Sequence, residues 1–348
     1  MKKIFAIIDY KGHFGSKWEA KPYRSGFDKS LLTEACNKLE LDVEFLKPSE
    51  IRLNHDWKNR NVIYTSSEEH GFHYKNYLED VVLALHHAGA NLLPGYPFFR
   101  ANNNKVFMEL LRDHLLGEQL SGLKSVVFGT MEELQYALKQ GKVKFPAVIK
   151  EAAGAMSRGV YLAKTDEELI LYAKKISQTA SLKVRLKEKI RVKKHEGYHP
   201  ESFYQKKFIV QPFIPDLKND WKILIFGDHY YILKRGIQKG DFRASGSGKN
   251  YKAGLDAEFP ESQFEHIKQI YEKLNVPMLS LDYAFDGKKG YLLEFQAVYF
   301  GTATHTFCDH YFVKRKYGWK HEENKYSQEE EYAYGIVHYL ENRDQKSS

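Results

Sequence analysis

The chain opens on a continuous apolar run, "KIFAIID" at residues 3–9, suited to a strand covered on both faces of a parallel sheet. A helix-like pattern near 26–39 follows, then the apolar stretches "DVEFL" (42–46) and "NVIYTSS" (61–67), a second helical pattern near 74–88, and "ANLLPG" (90–95). Strands and helices alternating over short connections predict an α/β layer of parallel strands. A further helix begins near Asn104, and the strand "KSVVFG" (124–129) runs into Thr130 and Glu133 at capping-box spacing. The stretch from Phe145 reads strand, loop, strand. "TDEE" (165–168) then opens another helix, and "FIVQPFI" (208–214) closes this middle part.

Beyond residue 220 the pattern turns antiparallel. "DWKILIFGDHYYILKRGI" reads as a hairpin about Gly227-Asp228, "PESQFEHIKQIYEKL" (260–274) as a helix, and "SQEEEYAYGIVHYLENR" (327–343) as a final helix with Ser327 and Glu330 in a capping box. Between them lies "MLSLDYAFDGKKGYLLEFQAV" (278–298), in which Leu281, Tyr283 and Phe285 alternate with Ser280, Asp282 and Ala284. After the turn "DGKKG", Tyr291, Leu293 and Phe295 alternate with Leu292, Glu294 and Gln296. Matching the apolar faces pairs Phe285 with Tyr291, Tyr283 with Leu293 and Leu281 with Phe295. That register sets Asp282 opposite Glu294 and Ser280 opposite Gln296.

Two like charges facing each other across a strand pair are destabilising. A divalent cation between them removes the conflict, and Gln296 on the same face has an amide oxygen to offer. Hard oxygen ligands of this kind suit Mg²⁺ or Mn²⁺, commonly shared with nucleotide phosphates. A solvated polar face on an edge hairpin is the alternative reading of the same alternation.

Composition narrows the classes. Hydrophobic residues at 43% and charged residues at 28% exclude a disordered chain, and 348 residues predict two or three domains. Two cysteines, Cys36 and Cys308, give no disulfide framework and point to a reducing, cytoplasmic setting. "MKKIFAIIDYKG" reaches Asp9 too soon for a signal peptide, and no run approaches the ~18 apolar residues of a membrane span. A net charge of +8 suits nucleotides, acidic sugars, carboxylates and nucleic acid alike, so it does not choose among them.

Lys150 ends an apolar run and is followed by Gly154-Ala-Met-Ser-Arg-Gly159. Such a loop can wrap its N–H groups around phosphate oxygens while the lysine supplies charge. A structural turn beside a lysine that snorkels to solvent is the plain alternative. The loop is not a Walker A motif, because Val160 follows Gly159, and "GSGKN" (246–250) lacks the strand-to-helix transition of a dinucleotide fingerprint. No Ser/His/Asp or Cys/His constellation offers a nucleophile.

The succession of Lys150, glycine-bearing loop, strand, capped helix, "VQPFI", and then Asp282 with Glu294-Phe-Gln296 resembles the ATP-grasp superfamily. Within it the chain looks like the carboxylate–amine ligases of the ribosomal-protein glutamate ligase and D-alanine–D-alanine ligase types, most strongly from about 104 to 300. The resemblance implies an α/β fold, α+β in its C-terminal part. It has an N-terminal parallel pre-grasp layer (1–120), a central lid subdomain (121–212) and a C-terminal subdomain carrying the metal hairpin (213–348). It implies an ADP-forming ligase that uses ATP and Mg²⁺ (or Mn²⁺), activates a carboxylate as an acyl phosphate and joins it to an amine. Positioning and charge neutralisation would carry such a reaction.

Residue by residue, Lys105 and Lys150 look like the nucleotide lysines, and Gly154, Ser157 and Gly159 like the loop over the phosphates. Gln211, Phe213 and Ile214 fall in the segment that reads adenine, with Asp216 or Asp220 as the ribose candidate. Arg235 and Arg243 resemble arginines that meet the transferred phosphoryl group and the substrate carboxylate. Asp282, Glu294 and Gln296 resemble the metal ligands, although the family usually has Asn where Gln296 stands. Asp220-Trp-Lys222 stands where relatives often carry Asp-x-Arg. Without the resemblance, Lys105 reads as a first-turn surface lysine and Arg243 as a local partner of Asp241.

The substrates would be a small carboxylate and an amine, or an acidic glycan or peptide, and relatives of this kind are commonly homodimers. The loop after the first strand, with Lys11, Lys17, Lys21 and Arg24, and "YTSSEEHG" (64–71), with Ser66, Ser67 and Glu68, lie where an acidic substrate could be held. Ordinary polar loops are the alternative. "SLKVRLKEKIRVKK" (181–194) puts Lys183, Arg185, Lys187, Lys189, Arg191 and Lys193 on alternate positions, which predicts a strand with one basic face, a guarded edge or a docking surface for a polyanion. His305, Cys308 and His310 have a zinc-like spacing that no second cluster completes. Two further readings remain open: a ligase that modifies a peptide, and a basic α/β nucleic-acid-binding protein without enzymatic activity, which the scarcity of base-stacking motifs disfavours.

Overall fold

The computed structural model describes all residues except 16–25, 68, 70, 155–158, 238–241, 244–249, 299 and 348, and for 346 and 347 the backbone alone. Two compact units form. One comprises Met1–Asn102, Lys218–Gly236 and Gly248–Ser348, the other Asn103–Leu217 and Ile237–Ser247.

The first unit begins with β1 (Lys2–Ile7), α1 (Lys29–Lys38), β2 (Leu41–Leu46), β3 (Asn61–Tyr64), α2 (His73–His87), β4 (Asn91–Leu93) and α3 (Tyr96–Ala101). The strands form a wholly parallel sheet in the order β2-β1-β3-β4, as the alternating pattern predicted. α1 starts at Asp28, whose carboxylate accepts the N–H groups of Ser30 and Leu31 at 2.8 and 3.0 Å.

The second unit holds α4 (Lys105–Ser121), β5 (Val126–Phe128), α5 (Met131–Lys139), β6 (Ala147–Glu151), β7 (Val160–Ala163), α6 (Asp166–Ser177), α7 (Leu182–Lys194) and β8 (Phe208–Pro212). Its sheet is antiparallel, ordered β5-β8-β6-β7. The core is one cluster that includes Leu134 of α5, Leu169 and Ala173 of α6, Ile149 of β6 and Phe208 and Val210 of β8. The capping boxes behave as read. Thr130 accepts from the Glu133 N–H and Glu133 from the Thr130 N–H, both at 3.3 Å.

One prediction here is overturned. The alternating basic stretch at 181–194 is the helix α7 and not a strand. Ser181 caps it by accepting the Val184 N–H at 3.4 Å, and Glu188 holds Arg191 one turn on at 2.6 Å. Leu, Lys, Arg and Glu are good helix formers, and a period of two specifies a strand only where a neighbouring strand and a core exist to receive it.

The first unit resumes with β9 (Asn219–Phe226), β10 (His229–Gly236), β11 (Tyr251–Ala253), α8 (Phe264–Leu274), β12 (Met278–Phe285), β13 (Gly290–Gln296), α9 (Ala303–Phe307), β14 (His310–Arg315), β15 (Gly318–Glu323) and α10 (Gln328–Ser347). The sheet runs β13-β12-β9-β10-β14-β15 with β11 against β10, and Gly227-Asp228 makes the hairpin turn predicted for it. Leu224 and Phe226 of β9, Tyr231 of β10 and Met278 of β12 share one core with Ile4 and Ala6 of β1, Leu32 and Cys36 of α1, and Tyr332, Ile336 and Leu340 of α10. Side chains two apart on a strand share a face. The sheet face that is apolar at Leu224 and Phe226 therefore also carries Asp220 and Lys222 further back along β9, beyond that core. Charged residues on this stretch are what a site requires and a core forbids.

Candidate functional site

A row of ionisable side chains crosses four strands of this sheet. Arg235 of β10 pairs with Asp220 of β9, Lys222 of β9 with Asp282 of β12, and Asp282 with Glu294 of β13. Ser280 lies opposite Gln296 on the same face. The predicted pairings at Asp282, Leu281 and Ser280 are those observed. Beyond Asp282 the register shifts by one, so Tyr283 pairs with Leu292 and Ala284 with Tyr291, in place of Leu293 for Tyr283 and Tyr291 for Phe285. Leu293 is the extra residue of a bulge next to Glu294, and it leaves Leu292 buried in its place. The apolar pattern could not show this, because Leu292 and Leu293 are both leucines and either satisfies the alternation.

The cations of the row are engaged. The Arg235 guanidinium grips Asp220 with two parallel bonds, Nε to Oδ1 at 2.7 Å and Nη2 to Oδ2 at 2.8 Å, and its Nη2 also lies 3.1 Å from Asp282 Oδ2. Lys222 donates to Asp282 Oδ1 at 3.3 Å. Burial opposes ionisation of Asp282, but Arg235 and Lys222 outweigh it and hold the carboxyl well below the usual carboxylate range. Asp220 is buried, and that burial raises its carboxyl above the ordinary value against the pull of Arg235. Asp220 is thus sealed against Arg235 and is not open to a ribose.

Whether these residues fit a divalent ion is tested by their geometry. Two carboxylates and an amide oxygen share one face at neighbouring positions, and the buried Ser280 Oγ beside them has no hydrogen-bond partner. The donor set is all oxygen, as Mg²⁺ prefers, and three carboxylates in the row stand against two cations. Among the described residues no group of three or more His, Cys, Asp or Glu is arranged to hold a metal, so a third protein ligand would come from another oxygen of this face, such as the Gln296 amide.

In the second unit the residues assigned to phosphate and adenine lie around β6 and β8. Lys150, on β6, is flanked by Val160 of β7 and Ile209 of β8. Lys105, the first residue of α4, donates from Nζ to the Gly154 carbonyl at 2.9 Å and from its backbone to Ala152 at 2.7 Å, so it holds the entry of the loop. Ser157 lies outside the described residues. Gly159 has φ +66°, and a Cβ there would sit 2.4 Å from Glu151 Cδ, which accounts for this glycine without any ligand.

Gln211 is buried, and its side-chain amide donates to Glu109 Oε1 at 3.0 Å and Ser125 Oγ at 2.9 Å. Arg112 bonds the same Glu109 and Ser125, so α4, β5 and β8 are joined through one buried polar knot. Both protons of the Gln211 amide nitrogen are thereby engaged within this unit. Phe213 donates its N–H to Pro146, Ile214 is buried, and Asp216 is exposed at φ +59°. Arg243 is half-buried with its guanidinium 5.6 Å from the Phe242 ring, and Asp241 lies outside the described residues. Glu109, Arg112 and Ser125 were not singled out in the sequence. A Glu and an Arg three apart on the helix beginning near Asn104 would have been the only signal.

At the carboxyl ends of β1 and β3, Asp9 Oδ1 accepts the N–H groups of Lys11 and His13, and Glu69 Oε1 accepts those of Tyr74 and Lys75. Lys17, Lys21, Arg24 and Glu68 lie outside the described residues. The zinc-like cluster dissolves. Cys308 donates its thiol to the Ile232 carbonyl, His305 packs against Tyr231, and His310 Nδ1 lies 3.1 Å from Asp309 Oδ1.

No protein-family model matches the chain, and no curated protein matches it in sequence. Its fold is shared with solved structures over almost its whole length. A D-cycloserine synthetase matches with TM-score 0.57 at 11% identity, covering 97% of this chain and 99% of the synthetase. A D-alanine–D-alanine ligase from Bacillus anthracis matches at 0.51 and 12%, covering 99% and 100%. A RiPP-associated ATP-grasp ligase from Chryseobacterium gregarium, solved with ADP and a leader and core peptide, also matches at 0.51 and 12%, covering 99% and 97%. The chain has the ATP-grasp fold.

Proposed function

We propose that this protein is an ATP-dependent ligase that phosphorylates a substrate carboxylate and passes the acyl group to an amine, releasing ADP and phosphate. The observation that carries the reading is the Asp282–Glu294 pair with Gln296 on its face, set in a row that also holds Arg235 and Lys222. A magnesium ion held by Asp282, Glu294 and Gln296 would supply the charge that lets the nucleotide's anionic oxygens approach. Arg235 and Lys222 hold Asp282 ionised and oriented for that task. Lys150 and Lys105 would lie along the nucleotide phosphates, and the backbone of 211–214 would meet the base. In this reaction catalysis rests on alignment and charge neutralisation.

The carboxylate substrate is proposed to be a small molecule, an amino acid or a sugar precursor. A peptide is the second reading, supported by the similarity to the peptide-bound ligase. A screen for ADP release over amino acids, uronic acids and short peptides, with and without candidate amines, tests the proposal. Release that requires a carboxylate and an amine together is the expected result. ATP turnover indifferent to both, or no magnesium-dependent nucleotide binding, would refute it.

A further inference from the structure

α7 is attached to its unit by its polar residues and turns its apolar ones to solvent. Glu188 is buried, and its carboxylate accepts from Arg191 at 2.6 Å and from the Tyr198 hydroxyl at 2.5 Å. Arg185 lies 5.4 and 5.6 Å from the rings of Phe203 and Tyr204. These three residues, spaced by three, are the seated face of the helix. Leu182, Leu186 and Ile190, spaced by four, form a ridge whose members are 83%, 62% and 52% exposed. At about 100° per residue, Lys189 and Lys193 flank the ridge on one side and Lys183, Lys187 and Lys194 on the other, all exposed.

A surface helix ordinarily does the reverse, placing its aliphatic stripe inward and its charges outward. A solvent-facing aliphatic ridge bordered by charge marks an interaction site. The only acid of α7 is turned inward, so the cover must be anionic, and a second α7 is disfavoured by lysines meeting lysines. A shallow, open depression of about 400 Å³ runs along the ridge, lined by Leu186, Lys189, Ile190, Val192 and Lys193 of this one helix, and walls from a single helix suit a soft, flat surface better than a small molecule that must be enclosed. Leucine and isoleucine enter such a surface at the headgroup–acyl boundary while lysines reach the lipid phosphates on their flexible stems. We propose that α7 docks the protein on an anionic lipid surface. This rests on the helix alone and not on the ligase reading.

The test is flotation of the full chain with vesicles of phosphatidylcholine alone and of phosphatidylcholine mixed with phosphatidylglycerol. The wild type should float with the mixed vesicles and not with the neutral ones, and rising salt should release it. The pairs Leu186→Glu with Ile190→Glu, and Lys187→Glu with Lys193→Glu, should each weaken binding by about tenfold or more. Because all four side chains are exposed, unchanged circular dichroism and melting temperature should accompany the loss. No flotation at low salt, or variants that float like the wild type, would overturn the proposal. It would equally be overturned by a wild-type dimer in light scattering that the Leu186/Ile190 pair abolishes, or by binding to poly-glutamate without binding to vesicles, which would assign the ridge to a second copy or to an acidic protein.

Discussion

Asp282 of β12 stands opposite Glu294 of β13 at the last pair before the register shifts, and one step further Leu293 leaves the ladder, which resumes at Tyr283–Leu292. The bulge shifts the register by one residue next to Glu294, a way sheets re-aim a side chain beside a site. If a cation resolves the facing charges, Glu294→Gln should abolish the magnesium-dependent part of ATP binding while leaving the fold intact. Calorimetry with ATP, with and without magnesium, reads this directly. Magnesium-dependent binding that survives in Glu294→Gln would remove the metal from this face.

Lys150 and Lys187 separate site from surface charge. Lys150→Ala should weaken nucleotide binding by about tenfold or more, the worth of a charge-assisted contact. Lys187→Ala, on the exposed flank of α7, should leave it unchanged. Thermal shift against ATP concentration compares the two, and equal losses would mean that general charge attracts the nucleotide.

Arg235 should matter to folding as well as to the site. Arg235→Met strands Asp220 in a buried position, and breaking such a pair from one side costs about 3–5 kcal/mol. Arg235→Met with Asp220→Asn should recover part of this, because the second change removes the uncompensated charge. Urea unfolding of the single and double variants measures the difference, and a double variant less stable than the single would contradict it.

Two glycines are demanded by their protein neighbours. A Cβ on Gly290 would lie 1.6 Å from the Tyr283 hydroxyl, which itself bonds Gln263 at 2.7 Å and His266 at 2.6 Å. Gly290→Ala should therefore destabilise by about 1–3 kcal/mol and disturb the turn end of the β12–β13 hairpin. Gly159→Ala should cost a similar amount through its positive φ and the Glu151 contact. In both variants a lowered melting temperature without ligand is the expected outcome.

His305 gives a pH signature. Its imidazole is buried beside Tyr231, Nε2 has no hydrogen-bond partner, and burial lowers its pKa to about 4. The unfolded chain takes up this proton near pH 6.5, the folded one only near 4. The stability that rests on a neutral His305 is thus complete above about pH 6.5 and is lost as pH falls through that window, on the order of 2–3 kcal/mol at the bottom. His305→Gln should flatten that part of the curve, measured by denaturant unfolding between pH 4 and 7.

Much of the architecture was legible because it rests on local rules. The parallel strands announced themselves as apolar runs, the capped helices by Thr130, Thr165 and Ser327, and the β9–β10 hairpin by Gly227-Asp228. The Asp282–Glu294 register followed from matching Leu281 with Phe295. The basic helix α7 was misread because lysines alternate with aliphatics over so short a stretch that the pattern fits a strand equally well. Nothing local says that no strand stands beside it.

What the order of residues settled by itself was therefore where most strands and helices lie and where the two hairpins turn, since apolar periodicity and turn chemistry act between near neighbours. The tertiary structure decided what each polar group is paired with. Gln211 is spent on Glu109 and Ser125, Asp220 on Arg235, and Asp282 is held between Arg235 and Lys222. Those partners are far apart along the chain, and buried polar groups take whichever complement the packed elements bring within hydrogen-bond reach.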